Sequence, residues 1–380
     1  MAKETSVEVL RDTQTLEEVI DCLSEHLPIP MQGVCTLRTL FEILVRAASQ
    51  SDSIEHTCQT LEDVPNGNDI RYHLEKVDDI EVLETRLNQA LQRRIPPRIR
   101  RGKQKVAIDL NLLPYYGTPS EAEAPYIYRS QAKAGTCSFY AYATVYVISK
   151  GKRVTLALHA VRREETLVGL ITRLLDRVAD IELTIQRLYL DREFFCVPVI
   201  RWLKACDIPF VLPVIIRGKQ GGTRALLTPK RTYTTPHTLR SPKYGTVTFE
   251  AWVVGTYTNG KYGRHGVEYQ AFAVYKVPLR LRALPDDYGK RFGIESSYRL
   301  KNQSRIRTTT KNPVVRLLYV GIAFLLVDLW IYLVWTYVSR PRRGGRLLFP
   351  SLFPFKMMLR FLRQAVDRRH IVIEAIYLKE

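Results

Sequence analysis

The 380 residues suffice for two or three domains with a substantial core, and the formal net charge is +19. That charge is segregated: residues 1–90 hold 7 Lys+Arg against 18 Asp+Glu, leaving 50 basic and 20 acidic residues for the rest of the chain. Six cysteines without a Cys-x-x-Cys pair, behind an acidic and polar start, exclude a disulfide-stapled secreted scaffold and favour a reducing cytoplasm. The spacing of Cys22, His26, His56 and Cys58 fits no familiar zinc finger. The positive field of the later chain points to a polyanion, either nucleic acid or an anionic membrane surface.

In chain order, residues 1–92 read as an all-α N-terminal domain. Residues 36–48 carry apolar side chains at helical spacing. Two short helices are predicted over 53–61 and 68–77, with Ser53 and Asn68 as N-caps and Pro65 and Gly67 breaking the chain between them. Helix, tight break and helix resemble a helix-turn-helix, whose second member would present Arg71 and Lys76 to DNA. The alternative is a plain bundle that scaffolds or dimerises. Residues 93–105 read as a basic, proline-interrupted linker.

Strand patterns then begin. An apolar strand over 106–112 carries Asp109. Residues 136–149 and 153–161 form a hairpin about Lys150-Gly151-Lys152, a helix covers 166–180, a strand 187–191 ends on Asp191, and a helix and strand follow at 197–205 and 208–216. That succession is the one found in a ribonuclease-H-like fold, a mixed five-stranded sheet with flanking helices. The first part of this core spans 106–216. Residues 217–284 form a β-rich insertion, with strand-like runs at 246–257 and 268–277 around Asn259, Gly260, Gly263 and Gly266. The second part of the core spans 285–340, and 341–380 form a basic C-terminal tail, in which 356–370 read as an amphipathic helix.

Asp109 and Asp191 end or interrupt apolar strands, where a carboxylate without a partner is costly. The strands that bear them are neighbours in the expected sheet. A helix predicted from Pro285 to about residue 308 sets Tyr288, Arg291 and Glu295 at i, i+3 and i+7, on one face. Three converging carboxylates can hold two divalent cations about 4 Å apart, an arrangement suited to phosphoryl transfer.

Tyr288, Arg291 and Glu295 resemble the Tyr-(2)-Arg-(3)-Glu-(6)-Lys signature of DDE transposases of cut-and-paste insertion sequences, in particular a family found in archaea and some bacteria. The final place of the signature is Asn302, with Lys301 one residue early; Arg299, one turn after Glu295, could supply the missing charge. The resemblance implies an enzyme with two Mg²⁺ ions, Mn²⁺ being a possible substitute. Asp109 and Asp191 would ligate metal, Glu295 would complete the second ion's shell, and Arg291 and Tyr288 would hold the terminal phosphate. Trp252 is the candidate for stacking on a flipped base, against the alternative of core packing. Implied partners are double-stranded DNA, as terminal inverted repeats and target, and a second copy in a synaptic homodimer at the nucleoid.

Two other readings compete. A nuclease or junction resolvase could use the same fold. A membrane-anchored basic binding protein is suggested by residues 317–338, which carry one charge, Asp328, and are followed by Arg340, Arg342, Arg343 and Arg346. That stretch reads better as a buried core helix, because a charge at mid-bilayer is costly and an all-apolar helix is equally at home inside protein.

Overall fold

The computed structural model describes residues 9–77, 79–149, 153–219, 221–259, 265–343 and 345–375. The turn expected at Lys150-Gly151-Lys152 lies outside them, as do Gly260 and Gly263 of the second turn.

The chain opens on helices α1 (Asp12–His26), α2 (Leu37–Gln50), α3 (Ile54–Gln59), α4 (Gly67–Leu74) and α5 (Ile80–Arg93). Side-chain caps set most starts: the Thr36 hydroxyl accepts from the Thr39 amide, Ser53 from His56, and Asp79 from Glu81 and Val82. The cap of α4 is Asn66 rather than the expected Asn68. Its Oδ1 accepts from the amides of Asn68 and Asp69 at 2.9 and 3.0 Å, which starts the helix two residues early. The basic stretch that follows is not an extended tether. It contains the short helix α6 (Pro97–Arg100), Ile95 and Ile99 are buried, and Arg100 donates to the Gln92 carbonyl.

The strands are β1 (Gln104–Pro114), β2 (Ile127–Lys133), β3 (Thr136–Val147), β4 (Thr155–Ala160), β5 (Ile185–Leu190), β6 (Phe210–Pro213), β7 (Tyr233–Ser241), β8 (Gly245–Asn259) and β9 (His265–Tyr275). They form one mixed sheet ordered β2-β3-β1-β5-β6-β9-β8-β7, with β4 also paired to β3. β1, β5 and β6 are parallel, and the other pairings are antiparallel. The sheet therefore exceeds the five strands expected. The insertion is not a separate module, because β9 pairs with β6 and carries β8 and β7 outward in the same sheet. Two strands of this sheet escaped the sequence reading. β7 hides in a Thr- and Pro-rich stretch whose burial alternates residue by residue, and β2 lies mostly exposed on an edge.

Helices α7 (Leu167–Ala179) and α8 (Val197–Ala205) cover one face. On the other lie α9 (Leu284–Gly289) and α10 (Gly293–Gln303), then α11 (Pro313–Tyr337). By length and composition α11 could cross a membrane, but 83% of its most apolar window is buried inside the protein. It packs on α5, β4, α1 and α10. Its one charge is explained by a backbone contact: both Asp328 carboxyl oxygens accept from the Thr155 amide, at 3.0 and 3.1 Å. Burial raises that carboxyl well above the ordinary range, which favours its uncharged form. Gly321 permits the close approach of α5, since a Cβ there would meet Leu87.

A small ribbon, β10 (Ser339–Arg342) and β11 (Gly345–Leu348), follows α11, and the chain returns through α12 (Phe355–Arg369) to pack on α1 and α2. One apolar cluster contains residues of α1, α2, α5, α11 and α12. The N-terminal helices thus share their core with the end of the chain instead of closing on themselves.

Candidate active site

Side chains alternate between the faces of a strand. In β1, Val106 and Ile108 enter the core beneath α7 and α8, whereas Ala107 enters the opposite core beside Tyr189, Leu284 and Tyr288. Asp109 shares the parity of Ala107. In β5, Leu188 and Leu190 face the first core and Tyr189 the second; Asp191, one residue past the strand, shares Tyr189's parity. β1 and β5 run parallel, with Ile108 opposite Leu190. Asp109 and Asp191 therefore emerge side by side on the face that α9 and α10 cover.

The segment bearing Glu295 is not one helix from Pro285 to about residue 308. α9 ends at Gly289, a 3-10 turn spans Lys290–Phe292, and α10 runs from Gly293 to Gln303. Arg291 lies on that 3-10 turn and is buried. Its guanidinium lies 3.8 Å from Asp109 Oδ2, 3.7 Å from Asp191 Oδ1 and 3.8 Å from Glu295 Oε1. Acids separated by 82 and 104 positions in sequence thus surround one cation. These separations exceed hydrogen-bond length, and Arg291 Nε and Nη1 have no hydrogen-bond partner among the described residues. Asp109 forms the floor, its side chain 16% exposed; Asp191 and Glu295 stand at the mouth, 41% and 44% exposed. Burial pushes the Asp109 carboxyl up to about 6; Arg291 opposes that rise and Asp191 adds to it.

The guanidinium modifies the expectation of an open three-acid cage. Among the described residues, no three acidic, histidine or cysteine side chains form a ready coordination group. Cys22, His26, His56 and Cys58 do not gather either. The donor set itself is all carboxylate oxygen, the chemistry that suits a hard divalent cation, and it already holds positive charge at its centre.

Residues behind the acids fix them. The Tyr288 hydroxyl donates to the Leu190 carbonyl at 3.1 Å, immediately before Asp191. Tyr298 donates to the Asp109 carbonyl at 3.1 Å and also contacts the Thr144 hydroxyl at 2.8 Å. The Asp191 carboxylate accepts from the Arg192 amide at 2.7 Å. Sequence reasoning missed Asp287, reading it only as part of a helix start. It is a buried hub that receives Lys105 at 2.6 Å, Lys290 at 3.1 Å, Arg187 and Tyr189, and it pins α9 onto β1 and β5. It also missed Tyr298, although its place three residues after Glu295 set it on the same helical face.

The remaining predicted residues divide. Arg299 is exposed one turn beyond Glu295. Tyr288 is buried with its hydroxyl committed to Leu190, so it supports the site from behind instead of facing a phosphate. Trp252, 9% exposed, belongs to the buried cluster that includes Phe272, its cross-strand partner, and Val274; core packing, not base stacking, describes it here. Lys301 faces inward, 1% exposed, above the Phe324 ring, and burial pushes its ammonium down to about 7, so it does not reach a surface phosphate. Arg71 is exposed but paired with Glu55 at 2.8 Å, and Lys76 donates to Gln32 at 2.8 Å over the Tyr72 ring. No contact among the described residues joins either to the three acids.

The chain resembles a solved structure in overall shape. The cryo-EM structure of the piggyBac transposase synaptic complex with hairpin DNA matches 99% of this chain and 84% of its own, with a TM-score of 0.56. The fold is transposase-like. Identity across the match is 13%, so the likeness concerns fold alone. No family model and no curated protein matches the chain.

Proposed function

We propose that the chain is a DDE transposase on a ribonuclease-H-like core, acting on DNA as a homodimer in the cytoplasm. The observation that carries this reading is the convergence of Asp109, Asp191 and Glu295 on the Arg291 guanidinium. The parallel β1–β5 pair beside an antiparallel β3, and the likeness of the fold to a transposase, support it further. The membrane-anchored alternative lacks such support, since α11 buries its apolar surface within the protein.

Asp109 and Asp191 would hold magnesium, with Glu295 completing the shell of a second ion, and the pair would offset charge developing on the phosphate during in-line transfer. Arg291 would turn from the carboxylates to a phosphate oxygen, for which its planar fork is suited. Tyr288 and Tyr298 keep the two aspartates in register by holding backbone carbonyls. Exposed Arg299 would meet the DNA backbone beside the mouth. The substrates are the terminal inverted repeats of an insertion sequence and a target duplex.

The test is nicking of a plasmid that carries the DNA flanking the gene. Cleavage should require Mg²⁺ or Mn²⁺ and fall to background in Asp109→Ala and Glu295→Ala, with DNA binding retained. Cleavage by Asp109→Ala at the wild-type rate, or cleavage in excess chelator, would overturn the proposal.

A further inference from the structure

The ribbon formed by β10 and β11 takes no part in the site or in the main sheet. Between Leu329 and Val366 the chain holds seven basic residues and no acidic one, and four of the seven are Arg340, Arg342, Arg343 and Arg346. Pairing sets Arg340 opposite Leu347 and Arg342 opposite Gly345, so both arginines rise from one face together with Leu347. Ser339 and Leu348 pair on the reverse face, and Leu348 packs on the cluster that contains α11. All four arginines and Leu347 are exposed. Among the described residues none of the four has an acidic partner: Arg346 donates to the Ser339 hydroxyl at 2.5 Å, and the Arg340 guanidinium lies 5.9 Å from the Phe349 ring.

Arginines left without counter-charge and concentrated on a narrow two-stranded element repel one another and gain nothing in packing. They fit a surface that carries regularly spaced negative charge. A β-ribbon also has a width that the major groove of duplex DNA admits. We propose that this ribbon is a DNA-docking element, with Arg340, Arg342, Arg343 and Arg346 engaging phosphates of a duplex outside the three-acid site. The inference rests on the transposase reading and adds to it a contact that holds the duplex at a second point.

The experiment measures binding of the full chain to a duplex from the DNA flanking its gene across a salt series, for wild type and for R340A/R342A/R343A/R346A. The variant should bind at least about tenfold more weakly near physiological salt, and the slope of log K against log salt should flatten by about 3.6. The fourfold Arg→Lys variant should keep the slope. Should the alanine variant not fold, R342A/R343A at the ribbon's tip decides the matter, with a flattening of about 2. If wild type shows no salt-dependent DNA binding, the transposase reading itself fails. If wild type binds and the alanine variants match it in affinity and slope, the ribbon inference alone is overturned. It is overturned equally if the arginines are needed for binding phosphatidylserine vesicles and not for binding DNA.

Discussion

Asp287→Ala tests whether the site is held together from behind. Asp287 is buried, and so is Arg187, its partner on β5. Burial alone would raise the Asp287 carboxyl, but hydrogen bonds from Lys105, Tyr189 and Lys290 bring it down to about 2. Removing the carboxylate leaves the Arg187 guanidinium buried without a counter-charge, which costs about 3–5 kcal/mol, a large fraction of a typical fold's stability. A pH series tests the same contact separately. The folded value lies below the ordinary 3.8, so the stabilisation is present above pH 3.8 and is lost as pH falls through about 2. At 1.36 kcal/mol per pH unit it amounts to about 2.5 kcal/mol. Urea unfolding at pH 7 gives the first quantity, and the pH dependence of the wild-type midpoint gives the second. The double variant R187M/D287L should recover most of the loss, since replacing a buried pair is far milder than breaking it. Because α9 carries Tyr288 and leads into Arg291, Asp287→Ala should also lower cleavage at temperatures where it stays folded. A loss below about 1 kcal/mol, or a double variant no better than the single one, would refute the reasoning.

Two further predictions concern how the layers are joined. His159 sits between Glu84, at 2.9 Å, and Glu165, at 2.7 Å; burial opposes its charge, yet the two glutamates lift it to about 9. Its stabilisation, about 3 kcal/mol, is therefore full below pH 6.5 and should disappear as pH rises through about 9, whereas His159→Leu should unfold with a flat profile over that range. Burial raises the Asp328 carboxyl above 3.8, so wild-type stability should fall as pH rises from that value, because the unfolded chain then releases a proton that the buried carboxyl keeps. Asp328→Asn, measured by thermal melting from pH 4 upward, should remove that fall, and Asp328→Leu should cost about 1–3 kcal/mol at neutral pH by stranding the Thr155 amide.

The legible parts of this chain were those with strong local periodicity. α8 coincides with its predicted span, and Ser53 caps the helix expected of it. Asp109 and Asp191 could be singled out because each interrupts an apolar run, and the parallel β1–β5 pair then sets them side by side. The 3-10 turn between α9 and α10 was not legible: Tyr288, Arg291 and Glu295 fit an unbroken helix in sequence, whereas Tyr288 and Asp287 fasten the preceding turn to β5. Trp252 and Lys301 were ambiguous for a related reason. Their burial is decided by distant elements, the β8–β9 pair for Trp252 and α11 for Lys301. The shared core of α1, α2, α11 and α12 joins opposite ends of the chain, and no local pattern announces a contact of that sequence separation.

The central claim, that Asp109, Asp191 and Glu295 form one divalent-cation site, is tested most directly by anomalous diffraction from crystals of the protein with a cleaved DNA end and Mn²⁺. Two manganese peaks should appear among these three carboxylates, with Arg291 turned to the phosphate. Crystals showing no manganese there, with the guanidinium still seated among the acids beside bound DNA, would contradict it.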